Sequence, residues 1–239
     1  MGHRMCATLI CVAGLLCGQA GAQEVTVSAR VRVRENDHSL ESPHAENVVV
    51  WLTPIGAEAT TKFVPKQPPR LSQHNKSFEP HLLVVPVGAM VEFPNRDPFF
   101  HNVFSLFEGK RFDLGLYEAG TARKVSFDRP GISFIFCNIH AEMSAIVVAL
   151  ETPYYGVSNR KGEIVIPQVP AGHYTMRVWS ETAVPENLNS LTREVTVSAN
   201  TSTLGIVQIT GGAISTAHRN KYGMDYEPPA PNSPVYTHP

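Results

Sequence analysis

Seven consecutive residues, Cys137-Asn138-Ile139-His140-Ala141-Glu142-Met143, place a thiol, an imidazole and a thioether at the spacing C-x2-H-x2-M. A second imidazole, His101, stands upstream and is followed by Asn102. Two histidines, one cysteine and a weakly held methionine are the donor set of an electron-transfer copper centre. Sulfur favours Cu(I), imidazole serves both oxidation states, and a compromise geometry lets the metal change charge with little rearrangement. The chain is therefore expected to hold one copper ion on His101, Cys137, His140 and Met143. It is expected to pass electrons rather than turn over a substrate, so it is read as a non-enzyme. Zinc on Cys137 and His140 is the rival, but a single thiolate with methionine at this spacing argues for copper.

Donors this close need stiff elements on either side. Ile132 to Phe136 reads as a strand that delivers Cys137 at its end, and Ala145 to Leu150 as the strand that follows the loop. His101 comes from another edge, after Phe99-Phe100, so the loop alone cannot set the geometry. Further strands are expected at 25–34, 47–52, 81–87, 90–93, 102–107 and 124–127. Turn chemistry at Val87-Gly88-Ala89, Pro94-Asn95-Arg96-Asp97-Pro98 and Asp128-Arg129-Pro130-Gly131 separates the later ones. Phe63 to Glu79, rich in Pro, Gln and Lys, reads as a loop. No long stretch carries a capped helical period. Short strands at this spacing predict an all-β sandwich.

Glu151-Thr152-Pro153 opens a second unit. Strands at 154–157, 163–166, 173–179, 191–198 and 203–209 predict a smaller β-sandwich. From Gly211 the composition turns Pro-rich, and 211–239 is expected to be a disordered or loosely docked tail. The organisation read from sequence is thus a leader at 1–22, a copper-binding sandwich at 23–150, a second sandwich at 151–210 and the tail.

The leader has a short positive start at His3-Arg4, an apolar run from Met5 to Leu16, and Ala20-Gly21-Ala22 before Gln23, as in a secretory signal. Cys17 leaves lipidation as the alternative. Cleavage would remove Cys6, Cys11 and Cys17 and keep Cys137 as the one thiol of an exported chain, which cannot form an internal disulfide. It would also remove only Arg4 among charged side chains, leaving 19 Lys+Arg against 21 Asp+Glu over 217 residues. That balance has no basic stripe and excludes nucleic acid as an expected partner. Membrane contact and a small-molecule substrate are not expected either; a periplasmic or secreted location is. No nucleophile motif, phosphate loop or H-E-x-x-H pair is present, and no His-x-His pair supports a multicopper oxidase. Among the other histidines, His74 and His81 read as loop-supporting, His173 as a strand residue, and His38, His44, His218 and His238 as solvated.

Val87-Gly88-Ala89-Met90-Val91-Glu92-Phe93-Pro94-Asn95, His101-Asn102-Val103 and Phe136 to Met143 together resemble the cupredoxins, the small blue copper proteins. The short loop is most similar to that of the amicyanin type. The stretch from Phe78 into Thr152-Pro153-Tyr154-Tyr155 resembles exported bacterial proteins of the methylamine-utilisation type. The resemblance implies a Greek-key sandwich and one type 1 copper. It implies imidazole nitrogen ligands from His101 and His140, thiolate from Cys137 and an axial Met143. It also implies that Asn102 ties the ligand loops, that the His140 edge lies near the surface, and that the partners are redox proteins. Asn159 to Tyr174 resembles the carboxypeptidase regulatory-like, transthyretin-type sandwiches, a likeness of fold that says little of function. A periplasmic copper carrier or sensor, and an envelope scaffold with structural copper, are the alternative functions.

Overall fold

The computed structural model describes residues 23–35, 45–56, 64–65, 67–106, 108–211 and 218–226. The expected leader, His38, His44 and His238 lie outside these residues. The described chain is nearly all β-strand, with one short helix, and forms two sandwiches.

The sandwich that carries the candidate donors is built on five strands. In sheet order these are β5 (Leu82–Pro86), β11 (Ser144–Leu150), β10 (Gly131–Cys137), β7 (His101–Ser105) and β8 (Phe112–Tyr117). A pair, β6 (Ala89–Pro94) with β9 (Ala122–Phe127), and a hairpin, β3 (Ser72–His74) with β4 (Ser77–Glu79), accompany them. The core between them holds Val91, Phe93, Val103, Phe127, Ile135, Cys137 and Met143. The turn of the β3–β4 hairpin, Asn75-Lys76, has φ of 52° and 55°. Two consecutive positive φ angles suit the type I′ geometry, whose twist matches the flanking strands. The region expected to be a loop therefore folds into a ladder. Likewise β8 escaped the sequence reading, because Gly115, at φ 65°, interrupts its apolar pattern.

The second sandwich corrects the expected domain boundary. Its sheets are β13–β1–β16 and β12–β2–β14–β15, where β1 is Glu24–Glu35, β2 Val49–Pro54, β12 Tyr155–Val157, β13 Glu163–Pro170, β14 Gly172–Trp179, β15 Arg193–Val197 and β16 Thr203–Gly211. So β1 and β2, assigned from sequence to the copper sandwich, belong to the other one. The alternation in β1 is as expected: Val27, Ala29, Val31 and Val33 are buried while Ser28, Arg30, Arg32 and Arg34 face solvent. Alternation fixes which face is buried but not which strands pair with it. Here the partners are β13, antiparallel, and β16, parallel, and their apolar face, with Ile164, Ile166 and Ile209, closes on Val50, Leu52 and Met176 of the opposite sheet. Tyr155 on β12 lies opposite Trp51 on β2, so the chain leaves and re-enters the second sandwich at neighbouring points. The donor-bearing sandwich is an insertion between two adjacent strands. The helix α1 (Pro185–Leu191), with Pro at its first turn, buries no residue completely, which is why no apolar period announced it.

The unbroken apolar run of β11 has a physical reason. Ala145, Val147 and Ala149 face the core of the first sandwich, whereas Ile146, Val148 and Leu150 face Val49 and Trp179 of the second. Trp51, Leu82, Ile132, Phe134 and Tyr155 pack around them. Each buried Val, Ile or Leu contributes about 1.5–3 kcal/mol. An ion pair across this contact, His81 Nε2 to Glu181 at 2.7 Å, is partly exposed on both sides and belongs to a class worth roughly 0–1 kcal/mol. Apolar burial therefore fixes the two sandwiches together and the ion pair trims the fit. The junction at Thr152-Pro153-Tyr154-Tyr155 supplies part of the contact, with Thr152 Oγ1 donating to the Leu52 carbonyl.

A chain ended after Leu150 would keep β1 and β2 but lose every strand they pair with. It is expected to bind a hydrophobic dye and to melt without cooperativity, whereas a fragment of residues 67–152 melts cooperatively; equal behaviour of the two would return β1 and β2 to the first sandwich. The hydrogen-bonded Glu181 carboxylate holds His81 above its ordinary value of 6.5, against the opposing pull of burial. The pair's contribution is then full below pH 6.5 and is lost as pH rises through the higher folded value. The melting temperature of the parent should exceed that of Glu181→Gln most at acid pH within the folded range, with the gap closing toward pH 9; a gap that widens with pH would contradict the assignment.

Candidate metal centre

His101 opens β7 and Cys137 closes β10, two strands that pair with Cys137 opposite Val103. The residues between β10 and β11 form a tight loop. Its ends are tied by Cys137 N–H to the Met143 carbonyl at 3.2 Å and by Met143 N–H to the His140 carbonyl at 3.2 Å. Asn138 N–H donates to the Asn102 carbonyl at 2.9 Å. Asn102 does tie the two ligand segments, but through its backbone; its side-chain amide donates instead to Asp113 Oδ1 at 2.7 Å.

The structure brings three of the four expected donors to one point. Cys137 Sγ lies 3.6 Å from His101 Nδ1 and 3.5 Å from His140 Nδ1, and all three atoms lie within 4.8 Å of one another. Bonds of about 2.3 Å to sulfur and 2.0 Å to nitrogen, meeting at tetrahedral to trigonal angles, put sulfur and nitrogen roughly 3.5–3.8 Å apart. The observed separations fall in that window, so one metal ion can reach the thiol and both imidazoles without moving the strands. Met143 is fully buried in the same packed cluster as Cys137, directly beyond His140 in the loop.

Burial sets the protonation of the donors. Desolvation pushes His140 down to about 4, helped by the neighbouring His101, and lowers His101 despite the pull of Asp97. Both imidazoles are thus neutral near pH 7, the form that offers a lone pair to a metal. Burial raises the Cys137 thiol, and the backbone groups of Asn102, Ile139 and His140 around it partly offset that rise. A buried thiol beside two neutral imidazoles has little reason to ionise alone; a cation that displaces its proton satisfies all three.

One functional residue escaped the sequence reading. Asp97, 4 % exposed, accepts from His101 Nε2 at 2.8 Å, which leaves Nδ1 turned toward Cys137. Its carboxylate also accepts from Asn75 N–H at 2.6 Å and Lys76 N–H at 3.1 Å, the two amides of the β3–β4 turn. Burial pushes Asp97 up, but the bonds from His101, Lys76 and Asn75 outweigh it and keep the group below its ordinary range. Asn95 builds the bend, accepting from Asp97 N–H and donating to the Phe99 carbonyl. The spacing D-x3-H, from Asp97 in the Pro94–Pro98 turn to His101, was the available signal.

Phe99 completes the pocket, its ring 5.3 Å from that of His101 and 5.6 Å from that of His140, while the two imidazoles stand 5.0 Å apart. His140, whose edge is expected near the surface, keeps 6 % of its surface, while His101, Cys137 and Met143 keep none, and Phe99 packs beside its ring. Two expectations change for the other histidines. His81 bridges the sandwiches as described above. His218, expected to be solvated, stacks on Phe136 at 4.1 Å, so part of the tail is docked. Among the described residues, this cluster is the only group of three or more His, Cys, Asp or Glu side chains placed to share a metal ion.

No protein-family model matches the chain, and no curated protein matches it. Among solved structures it is similar to a purple cupredoxin from Nitrosopumilus maritimus, with 21 % identity over 34 % of this chain and 99 % of that one and a TM-score of 0.32. It is similar to amicyanin from Paracoccus versutus, with 19 % identity over 36 % and 85 % and a TM-score of 0.33. It is also similar to a copper-containing nitrite reductase from Thermus scotoductus, with 24 % identity and a TM-score of 0.34. That match spans 50 % of this chain but 28 % of the enzyme. At these values the reading of the centre rests on its own donor geometry.

Replacing Asp97 by Asn removes the charge that orients His101 and strengthens it as a donor. Metal affinity is expected to fall about ten- to a hundredfold, read by competition against a chelator of known affinity. Unchanged affinity would mean that His101 is held without its carboxylate.

Proposed function

We propose that this chain is a cupredoxin-like copper protein that carries single electrons between redox proteins outside the cytoplasm. The observation that carries the reading is the convergence of the Cys137 thiol and the His101 and His140 Nδ1 atoms inside one water-shielded pocket. His101, Cys137 and His140 would hold the ion, with Met143 as a further, weaker donor. Copper bound there supplies one-electron chemistry, since mixed sulfur and imidazole donors suit both of its oxidation states.

The chain's own residues do the rest. Asp97 fixes the His101 ring and its tautomer. Phe99 packs on both imidazoles and keeps their orientation from changing when the charge of the site changes. The short loop from Cys137 to Met143 spans between paired strands, so its donors share the stiffness of β10 and β11. Full burial of His101, Cys137 and Met143 favours transfer of electrons through the protein over access by a substrate, which supports a carrier and not an enzyme. The apolar run at 5–16 supports an exported location.

Loading the protein with Cu(II) is expected to produce an intense visible thiolate-to-copper band that bleaches with a reductant and returns on reoxidation. Cys137→Ser should abolish that band, and Met143→Leu should keep copper while raising the reduction potential, because a donor that stabilises Cu(II) is lost. A colourless copper complex, or a blue Cys137→Ser variant, would sink the proposal.

A further inference from the structure

Residues 218–226 follow the last strand of the second sandwich, yet they lie against the metal loop of the first. The contacts they make there reach elements that position a donor. The Tyr226 O–H donates to the carbonyl of Cys137 at 2.5 Å. The His218 ring stacks on Phe136, the residue before Cys137, at 4.1 Å and an interplanar angle of 29°. Lys221 N–H donates to Asn138 Oδ1 at 2.9 Å, the residue after Cys137. Lys221 Nζ reaches Asp113 Oδ2 at 2.8 Å, and the other oxygen of Asp113 accepts from Asn102, the residue after His101.

The segment is stiff in itself. Asn220 Oδ1 accepts from the backbone of Tyr222 at 3.0 Å and of Met224 at 3.1 Å, and Asn220 N–H donates to the Met224 carbonyl at 2.9 Å. Gly223, at φ 76°, closes the turn in the left-handed region that favours glycine. Tyr226 O–H lies 3.2 Å from His218 Nδ1, so the two ends of the turn meet over the loop. The turn thus spans from Phe136 through Asn138 to Asp113, across β10, the loop and β8.

We propose that residues 218–226 form a strap that holds the ligand loop closed, with Tyr226 as its positioning residue, so that bound copper is retained rather than exchanged. The inference deepens the copper reading and rests on it. For the metal to leave, the 138–143 loop must lift away from β7. Lifting it breaks the Asn138–Asn102 bond and, with the strap in place, either the Lys221–Asn138 bond or, where the strap rises with the loop, its ties to the Cys137 carbonyl and Asp113. A strap that must open together with the loop lowers the population of the open state by the free energy of its own contacts.

The test uses the full chain with Tyr226→Phe, which removes one hydroxyl, and Lys221→Met, which cuts the tie to Asp113 away from the loop. Amide hydrogen exchange at residues 138–143 is measured in the metal-free protein, and transfer of Cu(I) to bicinchoninate in the loaded one. Loss of one hydrogen bond is expected to speed both about two- to twelvefold in Tyr226→Phe. Loss of a partly exposed ion pair should speed both roughly 1.5- to fivefold in Lys221→Met. Met224→Leu, whose side chain lies on the exposed side of the same turn, should match the parent. Parent-like rates in both tie-cutting variants, or faster exchange without faster release, overturn the strap. A chain that takes up no copper refutes the function proposed above, and the metal-free exchange still decides whether the strap holds the loop.

Discussion

A thiol and two imidazoles share one pocket from which water is shut out, and that constraint shapes the rest of this fold. Desolvation leaves Cys137 protonated and both rings neutral, and the thiol has only the two imidazole Nδ1 atoms, at 3.5 and 3.6 Å, as side-chain neighbours to bond. Bonds to sulfur this long contribute little, so the arrangement persists because surrounding elements hold each donor independently. Cys137 is held by pairing with β7, His101 by Asp97, and His140 by the loop ties and the Phe99 ring. A pocket organised before the metal arrives has little to rearrange when the charge on the metal changes.

The Asp97 carboxylate shows how far that support reaches. It accepts from three groups on two separate segments, the β3–β4 turn and β7, and so converts a surface hairpin into a brace for a buried imidazole. Its full set of partners is what makes a buried charge tolerable here. The same logic runs through Asp113, which joins Asn102 to Lys221 and thereby links β7 to the docked segment. Two carboxylates thus tie the element that begins with His101 to the β3–β4 turn and to Lys221, both distant in sequence.

How much of this was legible in the sequence follows from the range of each interaction. The four candidate donors stood out because cysteine, histidine and methionine at short spacing have few other reasons to cluster, and three of them converge as expected. The strands β10 and β11 were readable because their residues are apolar and local. What failed was long-range. Nothing in Val25 to Arg34 says that its partners lie past residue 160, since period-two alternation encodes a face and not a neighbour. Asp97 looked like turn punctuation because its purpose depends on Asn75, Lys76 and His101 arriving from elsewhere. Tyr226 and His218 sat in a stretch whose Pro-rich composition argued against packing, yet an Asn-initiated turn orders nine residues without any core of its own. The helix at 185–191 was invisible because it buries no residue completely.

The insertion of one sandwich into the other gives the long-range contacts a common origin. The donor-bearing unit leaves β2 and returns through β12, neighbours in one sheet, so both of its tethers emanate from the same place. Two adjacent tethers alone would let the unit swing. The face formed by Ile146, Val148 and Leu150 against Val49 and Trp179 removes that freedom. Because those residues alternate along β11 with Ala145, Val147 and Ala149, the strand that follows Met143 is clamped by two cores at once. His81 adds a polar link at the same point, bonding Ser144, the first residue of β11, on one side and Glu181 on the other. The second sandwich therefore contributes no donor, but it fixes the strand onto which the ligand loop closes. It also supplies the end of the chain from which 218–226 reaches back over Cys137. One sandwich carries the candidate donors, and the other packs behind their strand while the segment that follows it packs over their loop, which is a physical reason for the two to occur on one chain.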